Sequence, residues 1–160
     1  GNGRTVSGVT VGGTALSSIV AINGAANTIH LWAGTVATGA TATIEVTLSA
    51  INDQCGIGVW AMTGVAVGAS ATGTSTADPG SVAIAIPAGG VIINAAVHPN
   101  TSTTAWSGGV TENYDEAIEG ATGHSGASAS TLGGTTPTIE ADYSAGGAGQ
   151  GMVAASWAVA

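Results

Sequence analysis

The chain has 160 residues, one basic residue (Arg4), no lysine and a formal net charge of −8. It cannot neutralise phosphate, which excludes nucleic acid as a partner and argues against an acidic membrane surface. Only 6% of residues are charged, so solubility rests on Thr, Ser, Asn and backbone amides, and such a surface does little to repel its neighbours. Hydrophobic residues make up 44%, without phenylalanine and alongside 27 glycines, a strand-and-turn composition outside the disordered class.

Strands are expected at Thr5–Val11, closed by Gly12-Gly13, and at Ala15–Ile22, which ends on the turn dipeptide Asn23-Gly24. Thr28–Val36 follows, then Ala42–Leu48. There Ile44, Val46 and Leu48 alternate with Thr43, Glu45 and Thr47, as in a strand with one wet face. Cys55–Val65 is apolar on both faces, with Ile57 and Val59 on one and Trp60 and Met62 on the other, so it is expected as a strand covered on both sides. Cys55 has no second cysteine to pair with and no basic neighbour, and is expected to be a small buried hydrophobe. Ser81–Ile86 and Val91–Val97 flank Pro87-Ala88-Gly89-Gly90 and suggest a hairpin. Met152–Val159, apolar on both faces, belongs in the middle of a sheet.

Ala66–Gly80, Gly120–Pro137 and Ser144–Gly151 are rich in small residues and read as loops, with room for an edge strand within Ser125–Thr131. No long helix is expected, and no apolar run reaches the ~20 residues of a membrane helix. The expected fold is all-β: an antiparallel β-sandwich, jelly-roll-like, of roughly nine or ten strands. It would form one domain over 1–160.

Four of the nine acids lie within eight positions: Glu112, Asp115, Glu116 and Glu119. Like charges so close repel, and calcium would suit hard oxygen ligands, although the spacing is not that of the twelve-residue calcium loop. The plainer alternative is a solvated acidic loop or one exposed helical turn. His30, His98 and His124 have no His or Cys at ligand spacing and read as surface or interface residues. Gly123-His124-Ser125-Gly126-Ala127 approaches the nucleophile elbow, but Ala stands where the second glycine belongs and no helix follows. Gly146–Gly151 is out of register for a dinucleotide loop. Trp32, Trp60 and Trp157 sit in apolar runs and are expected in the core or a subunit interface. Trp106 sits among Thr, Ser and Gly and is the tryptophan expected to meet a glycan or a partner. Asn100-Thr101-Ser102 matches the glycosylation sequon, which matters only in a secretory pathway.

VTVGGTALSSIVAINGAANTIHLWAG (Val9–Gly34), CGIGVWAMTGV (Cys55–Val65), IPAGGVIINAAVH (Ile86–His98), TAWSGGVTENYDEAIEG (Thr104–Gly120) and MVAASWA (Met152–Ala158) together resemble a β-sandwich domain of structural proteins of tailed phages and prophages. The resemblance covers most of the chain and carries no active-site residues. It implies a virion part such as a head decoration, fibre or tail component. Domains of this type are expected to carry further chain before the first segment. The expected partners are further copies of the chain, in a homo-oligomer such as a trimer, and a major capsid or tail protein, in a virion or extracellular setting.

The expected function is therefore structural and non-enzymatic, through self-assembly. The alternatives are a carbohydrate-binding or receptor-binding module, with a surface glycan as partner, and a self-assembling surface-layer or filament subunit.

Overall fold

The computed structural model describes residues 4–23, 27–36, 39, 41–50, 54–99, 103–118, 122–145 and 147–160. Among these there is no helix, and thirteen strands pair antiparallel throughout. In chain order they are β1 (Val6–Val11), β2 (Thr14–Ala15), β3 (Ser17–Asn23), β4 (Thr28–Ala33), β5 (Ile44–Leu48), β6 (Ala71–Ser75) and β7 (Gly80–Ala83). Then come β8 (Val91–Pro99), β9 (Thr104–Ser107), β10 (Thr111–Ile118), β11 (Thr122–Ala129), β12 (Thr138–Tyr143) and β13 (Gly151–Trp157).

A five-stranded sheet in the order β10-β11-β8-β13-β6 lies at the centre of the molecule. Because side chains alternate along a strand, β8 and β13 feed two cores at once. On one face Ile92, Ala96, Met152 and Ala154 meet Val82, Ile139, Ala141 and Tyr143 of a second sheet, β7-β12-β9. On the other, Ile93, Ala95, Val153, Ala155 and Trp157 meet Leu31 and the β3-β4 hairpin, with Trp60, Met62 and Val65 beside it. A strand covered on both faces has no wet side, and all seven positions of β13 are buried. The expectation that this segment lies mid-sheet is met. A third sheet, β2-β1-β5, stands apart from both cores. Ile44–Leu48 keeps the predicted alternation, with Glu45 and Thr47 exposed.

Four expectations need correction. The strands number thirteen rather than nine or ten, because β6 and β11 arise from stretches read as loops, and β9, β10 and β12 were not anticipated. β11 is moreover no edge strand, since it lies between β10 and β8. Its small residues are what allow this. A side chain at Gly126 would collide with Trp60 and Tyr114, and one at Gly123 with His98, so glycine makes room for rings supplied by other elements.

The segments around Pro87-Ala88-Gly89-Gly90 do not form a hairpin. The turn is there, closed by Gly90 N–H donating to the Pro87 carbonyl at 2.8 Å with Gly89 at φ +70°. It carries the chain from one sheet to another, so β7 pairs with β12 and β8 pairs with β11 and β13. Finally, Cys55–Val65 is not a doubly covered strand. Only Val65 joins a β-bridge, to Val159, while Cys55, Ile57 and Val59 are exposed.

Candidate functional site

The acidic residues lie on a strand, and alternation decides what they can do. Asp115 faces Ser125 across the β10-β11 ladder and Glu116 faces His124, so these adjacent carboxylates point to opposite sides of the sheet. Alternation separates these two charges. Among the described residues no group of three or more His, Cys, Asp or Glu could hold a metal ion. Glu119 lies outside the described residues, as do Gly24, the Asn100–Ser102 sequon and Gly146. The loop-or-helical-turn alternative for this stretch is corrected to a strand, with Glu112 and Glu116 exposed and Asp115 half-buried.

Asp115 belongs to a polar cluster on the face of the central sheet that meets β7-β12-β9. Its Oδ2 accepts the Thr104 N–H at 2.8 Å, and its Oδ1 lies 3.7 Å from Nε2 of His98, which is fully buried at the end of β8. The His98 ring passes over Gly123, and the Tyr143 ring stands 5.9 Å from it. Ser125, also fully buried, accepts the Trp106 indole N–H at 3.2 Å. A buried polar group costs stability unless it is bonded. The Thr104–Asp115 and Trp106–Ser125 bonds meet that condition and tie β9 to the central sheet, whereas Thr104 Oγ1 and the Tyr143 hydroxyl are buried without a hydrogen-bond partner.

Ser125, His98 and Asp115 are the residue types of a nucleophilic triad. However, Ser125 sits mid-strand with no exposed surface rather than on a strand-to-helix turn, so the elbow geometry is absent. Trp106 is half-buried, packs against the core and spends its N–H on Ser125. Among the other tryptophans, Trp157 is in the core as expected, while Trp32 is half-buried beside His30, with ring centroids 6.5 Å apart. Burial lowers the pKa of His30 from its ordinary value.

The opposite face of β10-β11 carries an aromatic ledge. Tyr114 stands 5.6 Å from Trp60 and 5.1 Å from His124, and the Trp60 indole N–H donates to Asn113 Oδ1 at 2.8 Å. Over this ledge runs the segment 55–63. Its even positions face the sheet: Gly56 lies on the His124 ring, Gly58 on Tyr114, and Trp60 and Met62 reach the second core. Neither glycine has a positive φ; each is required because a ring occupies the space of its side chain. The cover lowers the pKa of His124, mainly by burial against an opposing pull from Glu116, and burial pushes Tyr114 up to about 12.

The odd positions of the segment, Cys55, Ile57, Val59 and Ala61, face away from the sheet and are exposed, Ile57 to 53% and Val59 to 65%. Cys55 is therefore not the buried hydrophobe the sequence suggests. Sequence reading found both parities apolar but missed that only one is covered. The signal was the pair of glycines at even positions, which mark close approach to something bulky. The chain matches no family model, no curated protein and no solved structure.

Proposed function

We propose that the chain is a non-enzymatic structural subunit of a phage or phage-like particle, a decoration, fibre or tail surface component, that works by packing against copies of itself and against a shell or tail protein. The observation that carries this reading is the exposed apolar stripe Cys55-Ile57-Val59-Ala61 on a chain with 6% charged residues. Val67 and Val159 add further exposed aliphatic surface at 68% and 55%. Isolated exposed aliphatics are ordinary, whereas contiguous ones mark a surface meant to be covered. The particle setting rests on the resemblance of Val9–Gly34, Cys55–Val65 and Met152–Ala158 to virion sandwich domains. Of the triad-type residues, His98 and Ser125 are sealed, and Ser125 is engaged in holding Trp106, which favours a structural role.

The test is native mass by light scattering over a hundredfold concentration range, with negative-stain imaging of the most concentrated sample. A defined oligomer or ordered array is expected. A monomer at every concentration would overturn the self-packing reading.

A further inference from the structure

We propose that residues 55–61 form the seam of a two-fold contact between two copies of this chain, in which the two segments pair as antiparallel strands. This rests on the self-packing reading above and names the surface responsible. Three observations converge on it.

The first is the backbone. Side-chain contacts alternate with a period of two from Gly56 to Met62, so the chain is extended there. Yet among the described residues none makes a main-chain hydrogen bond with the backbone of 55–63; the contacts begin at the Gly64 carbonyl, which accepts from Ala160. An extended segment with unpaired N–H and C=O groups is an open template for another strand.

The second is the side chains. The outward stripe Cys55-Ile57-Val59-Ala61 is centred on Gly58. An antiparallel pair about that point sets Ile57 against Val59 and Cys55 against Ala61, apolar against apolar in every position. Identical segments in this arrangement also match the donors along the joined edge with acceptors, as an isologous contact requires.

The third is charge, which permits the second copy that the symmetry of the stripe about Gly58 points to. Two chains of net charge −8 repel, and they can touch only where neither presents an acid. Residues 54–77 hold no charged side chain. Among the described residues of β10, the acid facing this side of the sheet is Glu116, cross-strand from His124 beneath Gly56, at the first end of the seam. Added salt should therefore strengthen the contact. Beside the seam, Trp60, Met62, Ile93 and Ser128 line an open groove of about 150 Å³, room for an apolar group of about benzene size such as an aliphatic side chain from the other copy. Seven residues a side is well below the ~800 Å² per partner of a standard interface, so the contact is weak and gains strength by repetition across an array.

Sedimentation velocity over a concentration series tests this with wild type, Val59→Asp, and Thr14→Asp, which adds the same charge on exposed β2. Val59→Asp is expected to raise the concentration at half-association at least tenfold, Thr14→Asp to leave it unchanged, and 0.5 M salt to lower it for wild type. In a Cys55→Ser background, Ile57→Cys chains mixed with Val59→Cys chains should give mainly mixed disulfide dimers under mild oxidation, since directly opposed strand residues have disulfide spacing. This readout also serves if an aspartate variant misfolds. Association unchanged in Val59→Asp, or no excess of mixed over like dimers, would overturn the seam while leaving self-packing standing. A wild type that is monomeric throughout would overturn both.

Discussion

The central sheet and the N-terminal sheet β2-β1-β5 are made from much the same residues, yet only one has an interior. β1 reads Val-Ser-Gly-Val-Thr-Val and β13 reads Gly-Met-Val-Ala-Ala-Ser-Trp. β13 is buried at every position, whereas no residue of β1, β2 or β5 is, and neither core includes any of them. Composition and alternation suffice to make strands. Burial comes from the layers above and below, and only the central sheet has both. Stability should accordingly be concentrated in β8 and β13, with the N-terminal sheet contributing little to the cooperative unit.

The largest effect should come from the core of the central sheet. Met152 is fully buried between β13 and β12 in the first core. Met152→Ala is expected to cost about 2–5 kcal/mol, the range for emptying a buried site of that size. Urea unfolding followed by tryptophan fluorescence would measure it. A loss below 1 kcal/mol would mean the two layers are not closely packed.

Next comes a glycine. A methyl group at Gly123 would run into the His98 ring, and that ring is fully buried with the Asp115 carboxylate on one side and Tyr143 on another, so it has no open direction to move. Gly123→Ala is expected to cost about 1–3 kcal/mol, as overpacking does.

Much of this contrast could be read from sequence, and some could not. The two-faced apolarity of Met152–Trp157 gave away its central place, and Ile44–Leu48 announced its one wet face. β11 escaped because Thr-Gly-His-Ser-Gly-Ala-Ser-Ala has no apolar periodicity. It is an interior strand since its neighbours bring the bulk, Trp60 and Tyr114 on one side and His98 and Trp106 on the other. β10 escaped for a related reason: its acids are divided between the two faces of the strand, which in a one-dimensional reading looks like a charge cluster. The polar cluster of His98, Asp115 and Ser125 joins three separate strands, β8, β10 and β11, and no local spacing encodes it. The 55–63 segment was recognised as apolar on both parities, but which parity would be covered depended on where it lay in space.

The two regions should also differ in their response to pH. His30 and His124 are held below their ordinary value by burial, so the folded state favours their neutral forms. Their contribution is complete above the unfolded value of about 6.5 and is lost as pH falls below it. Tyr114 works in the other direction: with its pKa raised from 10.0 to about 12, its contribution is complete below pH 10 and is lost between 10 and 12. Unfolding midpoints should thus be flat between about pH 6.5 and 10 as far as these groups decide, and His124→Gln should soften the acid limb. The strands β1, β2 and β5 contain no histidine or tyrosine. Their amide exchange, corrected for the intrinsic rate, should not follow these transitions.

The smallest effect closes the comparison, because it repeats the glycine substitution where there is no core. Gly8 lies in β1, and the nearest atom to a side chain placed there is Thr47 Cβ at 3.9 Å, an ordinary contact. Its φ is not positive, so alanine fits the backbone without strain. What remains is the entropy of the unfolded chain, which alanine reduces. Gly8→Ala should therefore be neutral or stabilising by up to about 1 kcal/mol. If β2-β1-β5 unfolds ahead of the central sheet, the gain will appear as slower amide exchange in β1 and β5 while the global urea midpoint stays put. If the midpoint itself rises, the N-terminal sheet is part of the same cooperative unit. The division between a doubly covered sheet and an uncovered one would then be a division of burial but not of folding.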